Sequence, residues 1–401
     1  MGYIWRRLSW KNIKVLTIIL IIAGLFFSLF LWRLGSLTSG ISPAEVSARV
    51  SGSNLHSIII NPVNAPQRLI QLLFHRLSPG SIYLLRLASV IWAGIFIVSF
   101  YHLANRWFGQ VVGALGTLLF ASTPWFILST RSASPMIMLL MPLAVAACYV
   151  WAIKNKNHVK MATIALAVVV SVSIYAPGTL WFIAAAIYFT RKQLKALIAL
   201  NSTSTRILCS IIILAILAPL IRASILNWEI IKPLLLIPAT FIGIYGFMKA
   251  FAWSSLAIVW RTRSHIDVSV GRWPMLGVVQ SILLIFGAVA MFTQALAVGY
   301  MLLIFIVLCI FAAAINSPAV IGNGYLPIIF MALPAISMFV AAGLRYLYIE
   351  WRTIFPRNPL PRALAICLMV VLVSMQVFFG MRYALVAWPH TTDTLRLYML
   401  K

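Results

Sequence analysis

Residues 84–104 read LLRLASVIWAGIFIVSFYHLA, an unbroken apolar run with no acidic residue. Roughly 20 such residues cross the hydrocarbon of a bilayer as a helix. A chain at that depth must satisfy every backbone polar group within itself, which favours helix over open strand. Working outward, ten further runs have the same character: Val15 to Leu31, Val111 to Ser122, Pro135 to Ile153, Met161 to Tyr175, Thr179 to Tyr188, Ile207 to Ile221, Met275 to Phe292, Val298 to Ile315, Tyr325 to Leu344 and Ala363 to Tyr383. The expected fold is therefore all-α, a polytopic transmembrane helical bundle of about 11 spans forming one membrane-embedded domain over residues 1–401. Composition agrees, since 63% of the residues are hydrophobic and only 9% are charged. Soluble proteins carry about a quarter charged residues, so a soluble enzyme is excluded.

The charge is lopsided, with 31 Lys+Arg against five Asp+Glu and a formal net charge of +26. The basic residues are scattered between apolar runs and form no stripe, which argues against nucleic acid and for loops beside lipid head groups. Lys/Arg bias in short loops puts the N-terminus, the Lys154/Lys156/Lys160 turn, the Arg191 to Arg206 loop and the Arg345 to Arg362 loop on the cytoplasmic side of the plasma membrane. The first run, preceded by Arg6, Arg7, Lys11 and Lys14, reads as an uncleaved signal-anchor. Residues 35–82, 123–134, 222–273 and 388–401 then fall outside. This parity requires that Ile230 to Trp260, apolar but containing Pro233 and Pro238, lie as interfacial helices on the outer surface.

The few carboxylates can be placed one by one: Glu45, Glu229, Asp267 and Asp393 outside, Glu350 inside. None lies within a run, whereas ion-coupled carriers keep ionisable groups at mid-membrane depth. The four cysteines fall singly within apolar runs, without CxxC spacing, and read as packing residues. No carboxylate pair suggests a metal, and no cofactor is expected.

In the first external loop Ser42 and Glu45 have capping-box spacing, so a helix should start there. Glu45 is either a cap alone or a carboxylate displayed above the bilayer that removes a proton from an acceptor. After Asn61-Pro62-Val63-Asn64-Ala65-Pro66, residues 67–77 predict an amphipathic surface helix, with Leu69, Ile70, Leu72, Leu73 and Phe74 on its apolar side and Arg68, His75 and Arg76 on its polar side.

This order of features resembles the membrane-embedded GT-C glycosyltransferases, in the bacterial branch of protein O-mannosyltransferases and aminoarabinose transferases. Leu119-Phe120-Ala121-Ser122-Thr123-Pro124-Trp125 with Ser129-Thr130-Arg131-Ser132-Ala133 is similar to that family's turn after the third span. Tyr175-Ala176-Pro177-Gly178 is similar to its YTPG turn, and Ala342-Gly343-Leu344, Trp351 and Phe355-Pro356-Arg357-Asn358-Pro359 match a later segment. The chain departs from the pattern in having one acid in the first loop rather than two, Met136 where an acid often follows the turn, and only a short segment after the last span. The resemblance implies transfer of a hexose or pentose from a polyprenyl-phosphate donor to a hydroxyl on a glycan, lipid or protein at the outer face, with membrane lipids as surroundings. It implies Glu45 as catalytic base. Arg131, Arg49, Arg68, His75 and Arg382 are candidates for the carrier phosphate, because guanidinium geometry fits phosphate oxygens, and Tyr175 and Tyr325 for phosphate or sugar. A flippase of lipid-linked substrates and a catalytically degenerate family member are the rival readings.

Overall fold

The computed structural model describes residues 24–38, 40–154, 158–238, 243–262, 269–317, 326–354 and 359–398. A π-helical turn at Phe27–Leu31 leads through a loop to three short helices, α1 (Pro43–Gly52), α2 (Leu55–Ile60) and α3 (Ala65–Leu77). There follow α4 (Ile82–Phe108), α5 (Gln110–Ala121), α6 (Pro124–Arg131), a 3-10 segment Pro135–Leu140 continuous with α7 (Met141–Lys154), α8 (Val159–Ser173), α9 (Thr179–Ala199) and α10 (Thr203–Leu226). The second half holds α11 (Gly243–Val259), α12 (Val278–Gln294), α13 (Leu296–Ile315), α14 (Leu333–Ile354), α15 (Pro359–Arg382) and the terminal α16 (Thr392–Leu397).

Each apolar run within the described residues is helical, and the chain is a multi-pass membrane protein. The expected count of about 11 spans is not confirmed. Among the described residues six helices are long and apolar enough to cross a bilayer, or seven if the bent pair α5 and α6 is one span. The difference is one of length: α8, α11 and α12 have 10–17 residues, short of the roughly 20 a crossing takes. The α9 run continues beyond Tyr188 into Arg191, Lys192 and Lys195, which cannot enter hydrocarbon cheaply. The segment 230–260 forms a single turn at Ile231–Leu234 and then α11, which packs against α13. The run Val15 to Leu31 lies mostly outside the described residues, as do Asp267, Tyr325 and residues 355–358.

Two devices fix the bundle. Helices α12 and α14 touch backbone to backbone through Gly287 and Gly343: a Cβ at Gly287 would lie 1.7 Å from the Phe339 carbonyl oxygen, and one at Gly343 2.0 Å from that of Leu283. Small residues permit this approach, the usual means of helix association in lipid. At Ser122–Thr123 the chain bends by 63° between α5 and α6, because Pro124 at the start of α6 disfavours helix in the residue before it. The bend frees carbonyls at the end of α5, and the buried Gln280 side chain of α12 donates to Leu119 O (2.7 Å) and Thr123 Oγ1 (2.8 Å). The site described next depends on this bend, which brings residues 131–134 back beside the first loop.

Candidate functional site

The site is built from the loop 34–45, α1, α3, the first turns of α4 and the turn after α6. Ser42 caps α1 as its spacing with Glu45 predicts: Ser42 Oγ accepts from Glu45 N, and Ser42 N donates to Glu45 Oε2 at 3.1 Å. Glu45 does more than cap. Arg86, one turn into α4, grips its carboxylate with both arms, Nε to Oε1 at 2.8 Å and Nη2 to Oε2 at 2.9 Å. Ala133 N, in the turn after α6, donates to Oε1 at 3.0 Å. Each carboxylate oxygen thus accepts two hydrogen bonds, and the pair is sealed, with 0% side-chain exposure for Glu45 and 3% for Arg86. The expectation of a carboxylate displayed above the bilayer is corrected accordingly: Glu45 is the inward-facing anchor of the loop.

Arg86 spends its other donors on the loop itself, Nη1 to Leu34 O and Nη2 to Thr38 Oγ1 and Gly40 O, at 2.9–3.1 Å. The ring of Tyr398, just beyond α16, lies over the guanidinium, 5.8 Å from Cζ to the ring centroid. A planar guanidinium is suited to such simultaneous bidentate pairing and stacking. Sequence reading passed over Arg86, although a cation inside an apolar run carries a signal of its own, since such residues are costly and paired.

Arg131 is committed in the same way. It is 5% exposed and donates Nη1 to Leu29 O and Nη2 to Trp32 O, the carbonyls freed where the π-helical turn ends. It clamps the π-helical turn to α6, with both arms of the guanidinium engaged by backbone carbonyls. Arg68 is half-buried, donates Nη1 to Asn61 O at 2.7 Å, and burial holds its guanidinium below the usual arginine value. Tyr175 is buried too. Its hydroxyl donates to Ile216 O. Arg382 is exposed at the end of α15, apart from the others. Tyr325 lies outside the described residues.

Helix α3 is amphipathic, as its pattern predicts, and two of its polar residues turn inward. Leu69, Leu73 and Leu77 are exposed, whereas Gln67 and Gln71 are buried. Gln67 Nε2 donates to Ser89 Oγ and to the carbonyls of Ala133 and Ser134, and Gln71 Nε2 to Ala133 O at 2.8 Å. The two glutamines hold the carbonyl side of the same turn whose N–H reaches Glu45.

Two expected residues do come together. Arg49 and His75 line one narrow cleft between α1, α3 and the start of α4, with Gln71, Ser78 and Ser81. Its base admits about one water-sized group. Neither Arg49 nor His75 has a hydrogen-bond or ion-pair partner among the described residues. Ser81 caps α4 through Leu84 N, and the positive end of this 27-residue helix opens on the cleft. A cation, an imidazole and a helix N-terminus converging on one cleft form a setting for an anion. Among the described residues no group of three or more His, Cys, Asp or Glu side chains is placed to hold a metal ion.

No family model and no curated protein sequence matches the chain. Solved structures do. The chain is similar to ArnT from Cupriavidus metallidurans in the apo state (TM-score 0.56, 13% identity, 95% of this chain and 78% of that one). It is similar to the same protein bound to undecaprenyl phosphate (TM-score 0.53, 14% identity, 93% and 77%). A third likeness is to the Archaeoglobus fulgidus oligosaccharyltransferase tethered with an acceptor peptide (TM-score 0.54, 14% identity, 92% of this chain). The match spans about half, 55%, of the archaeal enzyme's length. These are GT-C proteins, so the fold to which the ordered motifs pointed is the fold the chain has. At such identities the likeness carries the fold alone.

Proposed function

We propose that the chain is a membrane glycosyltransferase that takes a sugar from a polyprenyl-phosphate carrier and passes it to a hydroxyl acceptor at the outer face of the plasma membrane, the N-terminus lying in the cytoplasm. What carries this reading is the fold, followed along 93% of the chain by a protein whose structure holds undecaprenyl phosphate, together with the narrow Arg49/His75 cleft at the start of α4, the helix that carries Arg86 of the buried Glu45–Arg86 pair. In the reaction the acceptor oxygen attacks the anomeric carbon, the bond from that carbon to the phosphate oxygen breaks, and the polyprenyl phosphate leaves with the bonding electrons. The departing phosphate gathers negative charge and is stabilised by fixed cations and donors; Arg49, His75 and the α4 N-terminus are the groups free to serve it. The acceptor must lose a proton, and Glu45 is the candidate base. Since each of its oxygens already accepts two bonds, it can act only after releasing a donor, so the conformation described is a resting one.

A second reading has an observation in its favour. Glu45 and Arg131 are wholly engaged within the protein, Glu45 by Arg86 and two backbone amides and Arg131 by two backbone carbonyls, as expected of a member that has kept the scaffold and lost the chemistry.

The test pairs binding with turnover. Purified protein in bilayer discs is titrated with undecaprenyl phosphate by native mass spectrometry, and a panel of polyprenyl-phosphate sugars is followed for release of free polyprenyl phosphate. Saturable binding that the double variant Arg49→Ala/His75→Ala weakens about ten-fold, equivalent to about 1.4 kcal/mol, is the expected result. Binding without release from any donor would favour the degenerate reading. Binding no tighter than to an unrelated membrane protein would sink the proposal.

A further inference from the structure

The charged pair is closed by a segment far away in sequence. Helix α16 brings Tyr398 over Arg86, and Tyr398 is itself 1% exposed, its ring meeting that of Trp388 edge-on with centroids 5.2 Å apart. Most neighbouring residues of this segment lie on the surface: Thr392, Asp393, Leu395 and Arg396 are exposed, while Thr394 is buried with the tyrosine and the half-buried Leu397 packs on the core. A helix of six residues has little stability of its own, so its position depends on the docked aromatic ring. A short helix with four of the seven residues 392–398 exposed has the marks of a unit that opens locally below the cost of global unfolding.

We infer that Tyr398 is a positioning residue: it acts through Arg86, covering the guanidinium that holds Glu45, and undocking of the 392–398 segment is the step that admits water and acceptor to the carboxylate. A stacked tyrosine keeps the face of the guanidinium dry, and a dry pair is bound far more firmly than one in contact with water. The inference deepens the proposed function by naming what uncovers its base. Its test does not depend on glycosyl transfer.

Full-length protein in detergent is treated with a water-soluble carbodiimide and an amine, and labelling of each carboxylate is read by peptide mass spectrometry. Glu229, with 68% side-chain exposure, is the internal standard for an open carboxylate. Cys309, 4% exposed within α13, reports unfolding through its reaction with a water-soluble maleimide. The wild type and Tyr398→Phe, which keeps the ring, should leave Glu45 nearly unlabelled. Tyr398→Ala should raise its labelling about five-fold or more, with Glu229 and Cys309 unchanged, as local opening requires. Equal labelling of Glu45 in wild type and Tyr398→Ala would overturn the inference, as would wild-type labelling at the Glu229 rate. If Tyr398→Ala also exposes Cys309, Trp388→Leu is scored instead, since it removes the ring behind Tyr398 and leaves Tyr398 in place. No rise at Glu45 in that variant refutes the cover. If labelling responds as expected and no donor is ever turned over, the cover stands and the glycosyltransferase reading falls.

Discussion

Replacing Arg86 by Met removes both charge-assisted bonds to Glu45 and three further bonds to the 34–40 loop. The carboxylate then stays buried with Ser42 N and Ala133 N as its remaining donors. Hydrogen bonds to charged groups contribute about 1.5–3 kcal/mol each, so the two bonds to Glu45 together amount to roughly 3–6 kcal/mol. Breaking one side of a buried pair costs about 3–5 kcal/mol by independent measure, and that is the expected loss for Arg86→Met. Glu45→Gln should cost less, about 2–3 kcal/mol, because the amide oxygen still accepts while its NH2 faces the guanidinium. The double variant Glu45→Leu/Arg86→Met strands no charge and should recover at least about 2 kcal/mol relative to the sum of Glu45→Leu and Arg86→Met. The assay is equilibrium unfolding in mixed micelles, with limited proteolysis of the 34–45 loop as a local readout. Additive losses in the double variant, or an Arg86→Met protein within about 1 kcal/mol of wild type, would show that the pair is not what holds the loop.

Other outcomes follow from single contacts. Gly343→Val should abolish recovery of folded monomer on size-exclusion chromatography, because the new Cβ meets the Leu283 carbonyl and neither backbone can move aside. Gln280→Leu should lower stability by about 1–3 kcal/mol in the same micelle titration, since it removes the amide that donates to both Leu119 O and Thr123 Oγ1 at the α5–α6 bend. Arg131→Lys should loosen the first helix, seen as faster amide exchange at residues 29–32, because an ammonium cannot reproduce the two-armed grip on Leu29 O and Trp32 O. Substituting the exposed Arg382 by Ala should leave polyprenyl-phosphate binding unchanged by native mass spectrometry, in contrast to Arg49→Ala.

What could be read from the chain divides along the range of the interactions. The Ser42–Glu45 cap is a contact three residues long, and its spacing alone announces it. The apolar runs specify helices for the same reason: the backbone satisfies itself locally in lipid. How many of them cross is decided by where each helix stops, and stops such as the bend at Ser122–Thr123 are set partly by tertiary donors such as Gln280. The partner of Glu45 is 41 residues away in Arg86 and its last donor is 88 residues away in Ala133, distances at which periodicity says nothing. Helix α3 shows a further limit. Its period was plain and its leucines Leu69 and Leu73 are exposed, but the pattern does not say that Gln67 and Gln71 turn in to bind a turn far along the chain. The Arg49/His75 cleft combines both ranges, with residue types suited to an anion visible in the sequence and their convergence supplied by the packing of α1 on α3.

The spread of Glu45's partners also sets a timetable for biogenesis. When the first loop emerges, its carboxylate has only its own cap; the guanidinium arrives with α4, the Ala133 amide after the α5–α6 bend has inserted, and the Tyr398 ring last of all. Until then the loop is a solvated charged segment open to proteases and chaperones at the membrane surface. Insertion of the later helices is thereby coupled to closure of the first loop, and a chain that ends before residue 398 leaves the charged pair without its ring.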